Sequence, residues 1–248
     1  MRKNILITGA SSGLGAGMAR LFAASGRNLA LCARRTDRLK ELRDELLAAN
    51  PDITVSVKHL DVTDYDRVFE VFGEFADEFG TVDRIIVNAG LGKGQPLGTG
   101  YFRANRQTAE TNFVAGLAQC EAAMEIFRRQ NAGHLVVISS VSAMRGMRKN
   151  MTTYAATKAG IATLAEGLRA ELLGTPIRVS TIFPGYIRSE MNERVSRTPF
   201  IVDTDVGCRA LVAAIEKEPA TAFVPRWPWA PIGFLLRRLP LSWVRRLA

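Results

Sequence analysis

The sequence predicts an α/β protein: a single domain built on a doubly wound parallel sheet of about seven strands, with helices on both faces. Two observations predict it. Short β-like runs alternate with longer helical patterns along the 248-residue chain, and that alternation implies a parallel sheet covered on both sides. No internal repeat, low-complexity stretch or linker interrupts it before residue 225. Right-handed crossovers then wind the sheet in both directions.

Each element follows from its residues. "NILIT" at 4–8 is a short apolar strand, and 14–25 follows as a helix closed by Gly26. "NLALCA" at 28–33 is the next strand, and a charged helix over 36–49 stops at Asn50-Pro51. "ITVSVKH" at 53–59 alternates like a strand, and 64–79 repeats apolar residues at helical spacing. "DRIIVN" (83–88), "HLVVIS" (134–139) and "IRVSTIF" (177–183) are further strands, with long helical segments near 105–130 and 152–173 between them. A helix at 203–217 precedes a last short strand at 222–224.

Composition narrows the class. Hydrophobic residues make up 47% and charged residues 23%, ordinary values for a globular protein. Cys32, Cys120 and Cys208 lie far apart without paired spacing, and His59 and His134 stand in unrelated contexts. Neither a disulfide framework nor a metal site is expected, and a reducing, cytoplasmic setting fits. The first ten residues do not read as a secretory signal, and no apolar run reaches the roughly 18–20 residues of a membrane span. Of the net charge of +9, five arginines without an acid fall between Pro225 and Ala248. Positive charge concentrated in a Trp- and Leu-rich tail, with no recognition motif, argues against nucleic acid as the partner.

The first strand runs into "TGASSGLG", which contains Gly9, Ser11, Ser12, Gly13, Leu14 and Gly15. Glycines serve where backbone turns sharply or approaches a ligand with no Cβ between. The following helix aims free N–H groups and its positive end at this loop, so a pyrophosphate is the natural occupant. A tight turn with incidental glycines is the competing explanation. The second strand ends at Ala33, Arg34 and Arg35. A carboxylate near this point would bind a ribose 2′-hydroxyl; arginine would instead hold a 2′-phosphate, which argues for NADP(H). The competing explanation is a solvated basic helix start.

Residues 152–160 read "TTYAATKAG", with Tyr154 and Lys158 one helical turn apart among small residues. Together with "TGASSGLG", "NAG" at 88–90 and "PGYIRSEM" at 184–191, in this order, the chain resembles a short-chain dehydrogenase/reductase over about residues 4–224. The resemblance implies a Rossmann-type fold, a nicotinamide cofactor, and a Ser–Tyr–Lys triad extended by an asparagine. Tyrosine ionises near pH 10 unaided, and a neighbouring ammonium together with the positive nicotinamide ring of the oxidised cofactor is expected to lower that value. Tyr154 would then act as general acid in reduction, and Lys158 would also hydrogen-bond the nicotinamide ribose. Ser140 matches the serine that orients the carbonyl oxygen, and Asn112 the asparagine that anchors a relay water to the lysine. The resemblance also places Asn88, Ala89 and Gly90 along the cofactor, and Asp61 with Val62 at the adenine. Pro184, Gly185, Ile187 and Ser189 fall near the nicotinamide. It further implies a homo-oligomer, dimer or tetramer.

Competing assignments stand beside these. Ser139 or Ser142 could supply the hydroxyl, Asn112 could be an ordinary polar helix residue, and Asp61 could cap the next helix, though Thr63 or Asp64 suits that better. Ser140 lies fourteen residues before Tyr154, so the intervening segment is expected to bulge. The glycine-rich loop "LGKGQPLGTG" is expected to be mobile beside a pocket lined by Met144, Met147, Tyr186 and Met191. Those adaptable apolar side chains favour a hydrophobic ketone, aldehyde or secondary alcohol as substrate. A non-catalytic NADP(H)-binding regulator of the same fold is the alternative. Residues 225–248 form a basic tail with three tryptophans, suited either to peripheral membrane contact or to packing on protein. Pro228, Pro231 and Pro240 are expected to break any long helix there.

Overall fold

The computed structural model describes residues 2–190 and 199–247, with side chains described as far as Arg245. Seven parallel strands form one sheet: β1 (Asn4–Thr8), β2 (Asn28–Ala33), β3 (Val55–His59), β4 (Arg84–Val87), β5 (Gly133–Ile138), β6 (Ile177–Pro184) and β7 (Thr221–Val224). Their order is β3-β2-β1-β4-β5-β6-β7. The order reverses between β1 and β4, and ligands of such sheets bind beyond the strand ends at this reversal.

Strand side chains alternate between two cores. Ile5 and Ile7 of β1, Ile86 of β4 and Val136 of β5 face one of them; Leu6, Ile85, Leu135 and Val137 face the other. The first core is closed by α1 (Gly13–Ala24), α2 (Thr36–Ala49) and α7 (Thr204–Ile215). The second is closed by α3 (Tyr65–Phe79), α5 (Ala115–Gln130) and α6 (Met151–Glu171). Strands buried on both faces read as continuous apolar runs, which is why "NILIT" and "RIIV" carry no polar alternation.

One element differs from the sequence expectation. The 105–130 helix begins earlier, as α4 (Phe102–Ala109), and passes through a π-turn at Glu110–Val114 before α5. The tail forms α8 (Arg226–Arg238) and α9 (Leu241–Leu247), separated at the extended Leu239 before Pro240, so its prolines do interrupt the helix; only Pro231 stands inside one. Trp227 has non-helical φ/ψ. Regular helix therefore starts at Pro228, whose missing N–H has no helical partner to lose, and Pro231 lies one turn on, where the residue four before it is the non-helical Trp227.

At the N-terminal ends of the strands Arg84 is buried, with Nη1 2.9 Å from Glu216 and Nη2 3.4 Å from Glu218. Its Nε donates to His134 Nδ1 at 2.9 Å, which leaves His134 Nε2 to donate to Ser180 Oγ at 2.8 Å. Burial, reinforced by the Arg84 charge, pushes the imidazole down to about 3, so it is neutral in the fold. This polar cluster lies at the opposite end of the strands from the glycine loop.

Candidate active site

At the C-terminal end of β1, Gly9 and Gly13 take positive φ, +65° and +53°. Gly15 is required for a different reason: a Cβ there would stand 2.3 Å from the Gly9 carbonyl oxygen. Bare backbone and the unblocked start of α1, with no acid in its first turn, form a cradle that fits a pyrophosphate. Thr8 ties this loop to the next. Its Oγ1 accepts from the Asn88 and Ala89 N–H groups at 3.0 and 3.2 Å, and Asn88 Nδ2 donates to the Thr8 carbonyl at 2.9 Å.

At the end of β2 the two arginines diverge. Arg35 reaches the glycine loop, donating to Ser12 Oγ at 2.6 Å and Ser11 Oγ at 3.3 Å. Arg35 and Arg38 both converge on Glu190, at 3.0 and 2.5 Å. Arg34 instead stands 4.0 Å from Asp61. Asp61 accepts from Thr63 N and Oγ1, while Asp64 caps α3 through Arg67 N, and Val62 is buried. Beyond β6, Gly185 N donates to the Val224 carbonyl. The Ile187 side chain packs on Gly207, and Ser189 faces Gly13. Met191 lies outside the described residues.

The three serines after β5 separate by partner. Ser139 Oγ is buried and donates to the Lys158 carbonyl at 2.7 Å, fastening β5 to α6. Ser142 donates to Ser140 Oγ from its backbone N–H at 3.2 Å and lies 3.0 Å away through its hydroxyl. Ser140 hydrogen-bonds Tyr154. A 3₁₀ turn at Val141–Met144 begins just after Ser140, within the fourteen-residue spacing to Tyr154.

Lys158 is buried one turn beyond Tyr154, with Nζ donating to the Ile138 carbonyl at 2.9 Å and 6.0 Å from the Tyr154 ring centre. Desolvation lowers its pKa to about 8. The lysine by itself does not lower the tyrosine pKa. Burial raises the Tyr154 pKa, the Ser140 hydrogen bond works against that, and the nearby Tyr186 adds to it. The ammonium is engaged by a carbonyl rather than by the phenol, so desolvation prevails.

Asn112 is placed by the π-turn and its amide is fully occupied. Oδ1 accepts from Leu91 N at 2.6 Å, while Nδ2 donates to the Leu91 carbonyl at 2.8 Å and Thr157 Oγ1 at 3.3 Å. Its side chain therefore holds the 88–91 loop. Gly90 is close to both partners: a Cβ there would lie 3.2 Å from Asn112 Oδ1 and 3.5 Å from Lys158 Nζ.

Sequence motifs, fold and these converging side chains agree with what similarity shows. The short chain dehydrogenase family profile matches residues 3–199. The chain belongs to the short-chain dehydrogenase/reductase family. Among oxidoreductases of this family, an uncharacterized one from Mycobacterium tuberculosis is 56% identical over 247 residues, covering 100% of this chain and 98% of its own. A short-chain dehydrogenase from Sphingobium yanoikuyae, solved in complex with NADPH, superposes with a TM-score of 0.82 at 26% identity, covering 97% of each chain. An alcohol dehydrogenase from Thermococcus sibiricus, complexed with 5-hydroxy-NADP, gives 0.79 at 26% identity, covering 89% of this chain and 95% of that one.

In this short-chain dehydrogenase, sequence reasoning passed over three residues. Thr8 and Thr157 are signalled only by long-range partners. Trp229 stands in a tail whose two faces the residues alone do not separate. Its ring stands edge-on to Tyr186 with centroids 5.4 Å apart, and its Nε1 is buried without a partner among the described residues. Met144, Met147 and Tyr186 join it in a third apolar cluster beside Ser140 and Tyr154.

Proposed function

We propose that the protein is an NADP(H)-dependent carbonyl reductase, or in reverse an alcohol dehydrogenase, acting on hydrophobic ketones, aldehydes or secondary alcohols. The observation that carries the reading is the hydrogen bond between Ser140 and Tyr154 beside the buried Lys158. When bound, the nicotinamide supplies or accepts the hydride. The Tyr154 hydroxyl gives its proton to the carbonyl oxygen during reduction, and positioned proton transfer of this kind contributes about 10²–10⁴-fold. Ser140 Oγ orients that oxygen, and Lys158 Nζ holds positive charge near the phenol.

The glycine loop with Gly9, Gly13 and Gly15, the Asn88–Gly90 turn, Asp61 and Val62, and the backbone from Pro184 to Ser189 would hold the cofactor. Arg34 and Arg35 favour the phosphorylated form. Support for it also comes from the two similar structures solved with NADPH and 5-hydroxy-NADP. The aromatic and methionine cluster around Tyr186 favours an apolar substrate.

Two measurements test the reading. NADPH binds more tightly than NADH in fluorescence titrations; tighter NADH binding rejects the cofactor assignment. Tyr154→Phe abolishes turnover of a hydrophobic ketone while NADPH still binds. Retained turnover removes Tyr154 from its role, and cofactor binding by the wild type without turnover across a ketone and alcohol panel favours the regulator instead.

A further inference from the structure

The C-terminal tail divides its side chains between two faces. On α8, Trp229, Ile232, Gly233 and Leu236 recur at helical spacing and pack against β6, β7 and the 3₁₀ turn after Ser140. Gly233 sets how closely the helix approaches, since a Cβ there would lie 2.5 Å from the Phe223 ring. This inner face anchors the tail to the domain, so the opposite face keeps a fixed orientation.

That outer face combines apolar side chains with positive charge. Trp227 is 79% exposed and Trp243 60%, and Phe234, Leu235 and Leu241 are each more than half exposed. Arg226, Arg237, Arg238 and Arg245 are exposed among them, with the Arg238 guanidinium 3.8 Å from the Phe234 ring centre. From Pro225 to the last residue the chain has five arginines and no acid. Lys149 and Arg148 follow the 3₁₀ turn on which α8 packs, which extends the basic character beyond the tail.

We infer that this face docks on an anionic phospholipid surface. Exposed tryptophans beside arginines suit the interface of a bilayer, where indole rings lie at headgroup depth and guanidinium groups pair with lipid phosphates. A second copy of the chain is a poorer occupant. A two-fold contact places the same patch on both partners, and here that would set arginines against arginines with no acid in the tail to answer them. Among the described residues no helix is long and apolar enough to cross a membrane, so the contact is peripheral.

All three tryptophans of the chain lie in this tail, which makes intrinsic fluorescence a reporter of it alone. The full-length protein is mixed with vesicles of phosphatidylglycerol and phosphatidylcholine, or of phosphatidylcholine only. Expected are sedimentation with the anionic vesicles alone, a blue shift of tryptophan emission, and release at high salt. Arg237→Gln with Arg238→Gln weakens partitioning about 30-fold, while thermal stability and cofactor binding stay unchanged. Trp227→Ser with Trp243→Ser removes the blue shift. Absence of sedimentation, equal binding to neutral vesicles, or unchanged partitioning of the arginine variant overturns the inference. So does light scattering in which the tryptophan variant halves the particle mass, which assigns the face to a second copy. None of these readouts depends on turnover.

Discussion

Trp229 stands edge-on to Tyr186, and Tyr186 in turn contributes to the raised pKa of Tyr154. The tail is thereby connected to the Tyr154 phenol through one intervening ring. Trp229 is 4% exposed, and its indole nitrogen has no acceptor among the described residues. Truncation to alanine removes a large buried ring at a cost of about 3–5 kcal/mol. Phenylalanine keeps most of the packing and deletes the unsatisfied donor, which is itself unfavourable when buried. Thermal denaturation should rank Trp229→Phe near wild type and Trp229→Ala far below it. The reverse order would show that the nitrogen, not the ring, matters.

Ser139 and Ser140 are adjacent but serve different partners. Ser140→Ala removes the hydroxyl on Tyr154 and should lower kcat by about 10²–10³-fold, the scale for losing one oriented donor at a reacting oxygen. Ser139→Ala breaks the buried bond to the Lys158 carbonyl. It should cost about 1–3 kcal/mol of stability, with a much smaller loss of turnover. Steady-state kinetics and melting curves on both variants separate the two effects.

Lys158 carries its charge only below a pKa that burial depresses to about 8. The ammonium is present below that value and lost above it, so kcat/KM for reduction should fall as pH rises through about 8. Lys158→Arg, protonated at every accessible pH, should remove that limb even if its rate is low. A wild-type profile flat from neutral to alkaline pH contradicts the assignment.

Stability on the acid side should be governed by His134. Its folded pKa, about 3, lies below the ordinary 6.5. As pH falls through 6.5 the unfolded chain takes up a proton that the native imidazole refuses, so stability is complete above 6.5 and lost progressively toward 3. Glu218, lowered to about 2 with the Arg2 hydrogen bond and nearby positive charges outweighing its desolvation, adds a loss in the same direction below about 4.5. His134→Gln should melt earlier at neutral pH yet decline less between pH 6.5 and 4.5. A variant with an unaltered slope there would place the acid sensitivity elsewhere.

Much of this was legible in the residues because the signals are local. "TGASSGLG" needs only a strand before it and a helix after it, and Tyr154 and Lys158 need only one helical turn. What was not legible depends on distant partners. Ile53 is buried but precedes β3, because the ladder with β2 pairs Leu29 with Val55 as its first residues. The π-turn that places Asn112 arises where α4 continues toward α5, and no residue in "ETNFV" announces it. Ser140 is singled out from Ser139 and Ser142 in sequence only by resemblance; the fold separates the three by what stands opposite each. The lysine alone does not lower the Tyr154 pKa because burial, a property of the whole fold, outweighs a neighbour one turn away.

Thr8 spends one hydroxyl on two backbone donors from the turn after β4, and the Asn88 amide returns the bond. The ends of β1 and β4 are thereby stitched into a single stiff hinge plate at the point where the sheet changes direction. Leu91, three residues beyond Asn88, is gripped by Asn112. Removing the Thr8 hydroxyl, as in Thr8→Val, would therefore leave the Asn88 and Ala89 N–H groups without this acceptor and loosen the turn after β4 from the glycine loop.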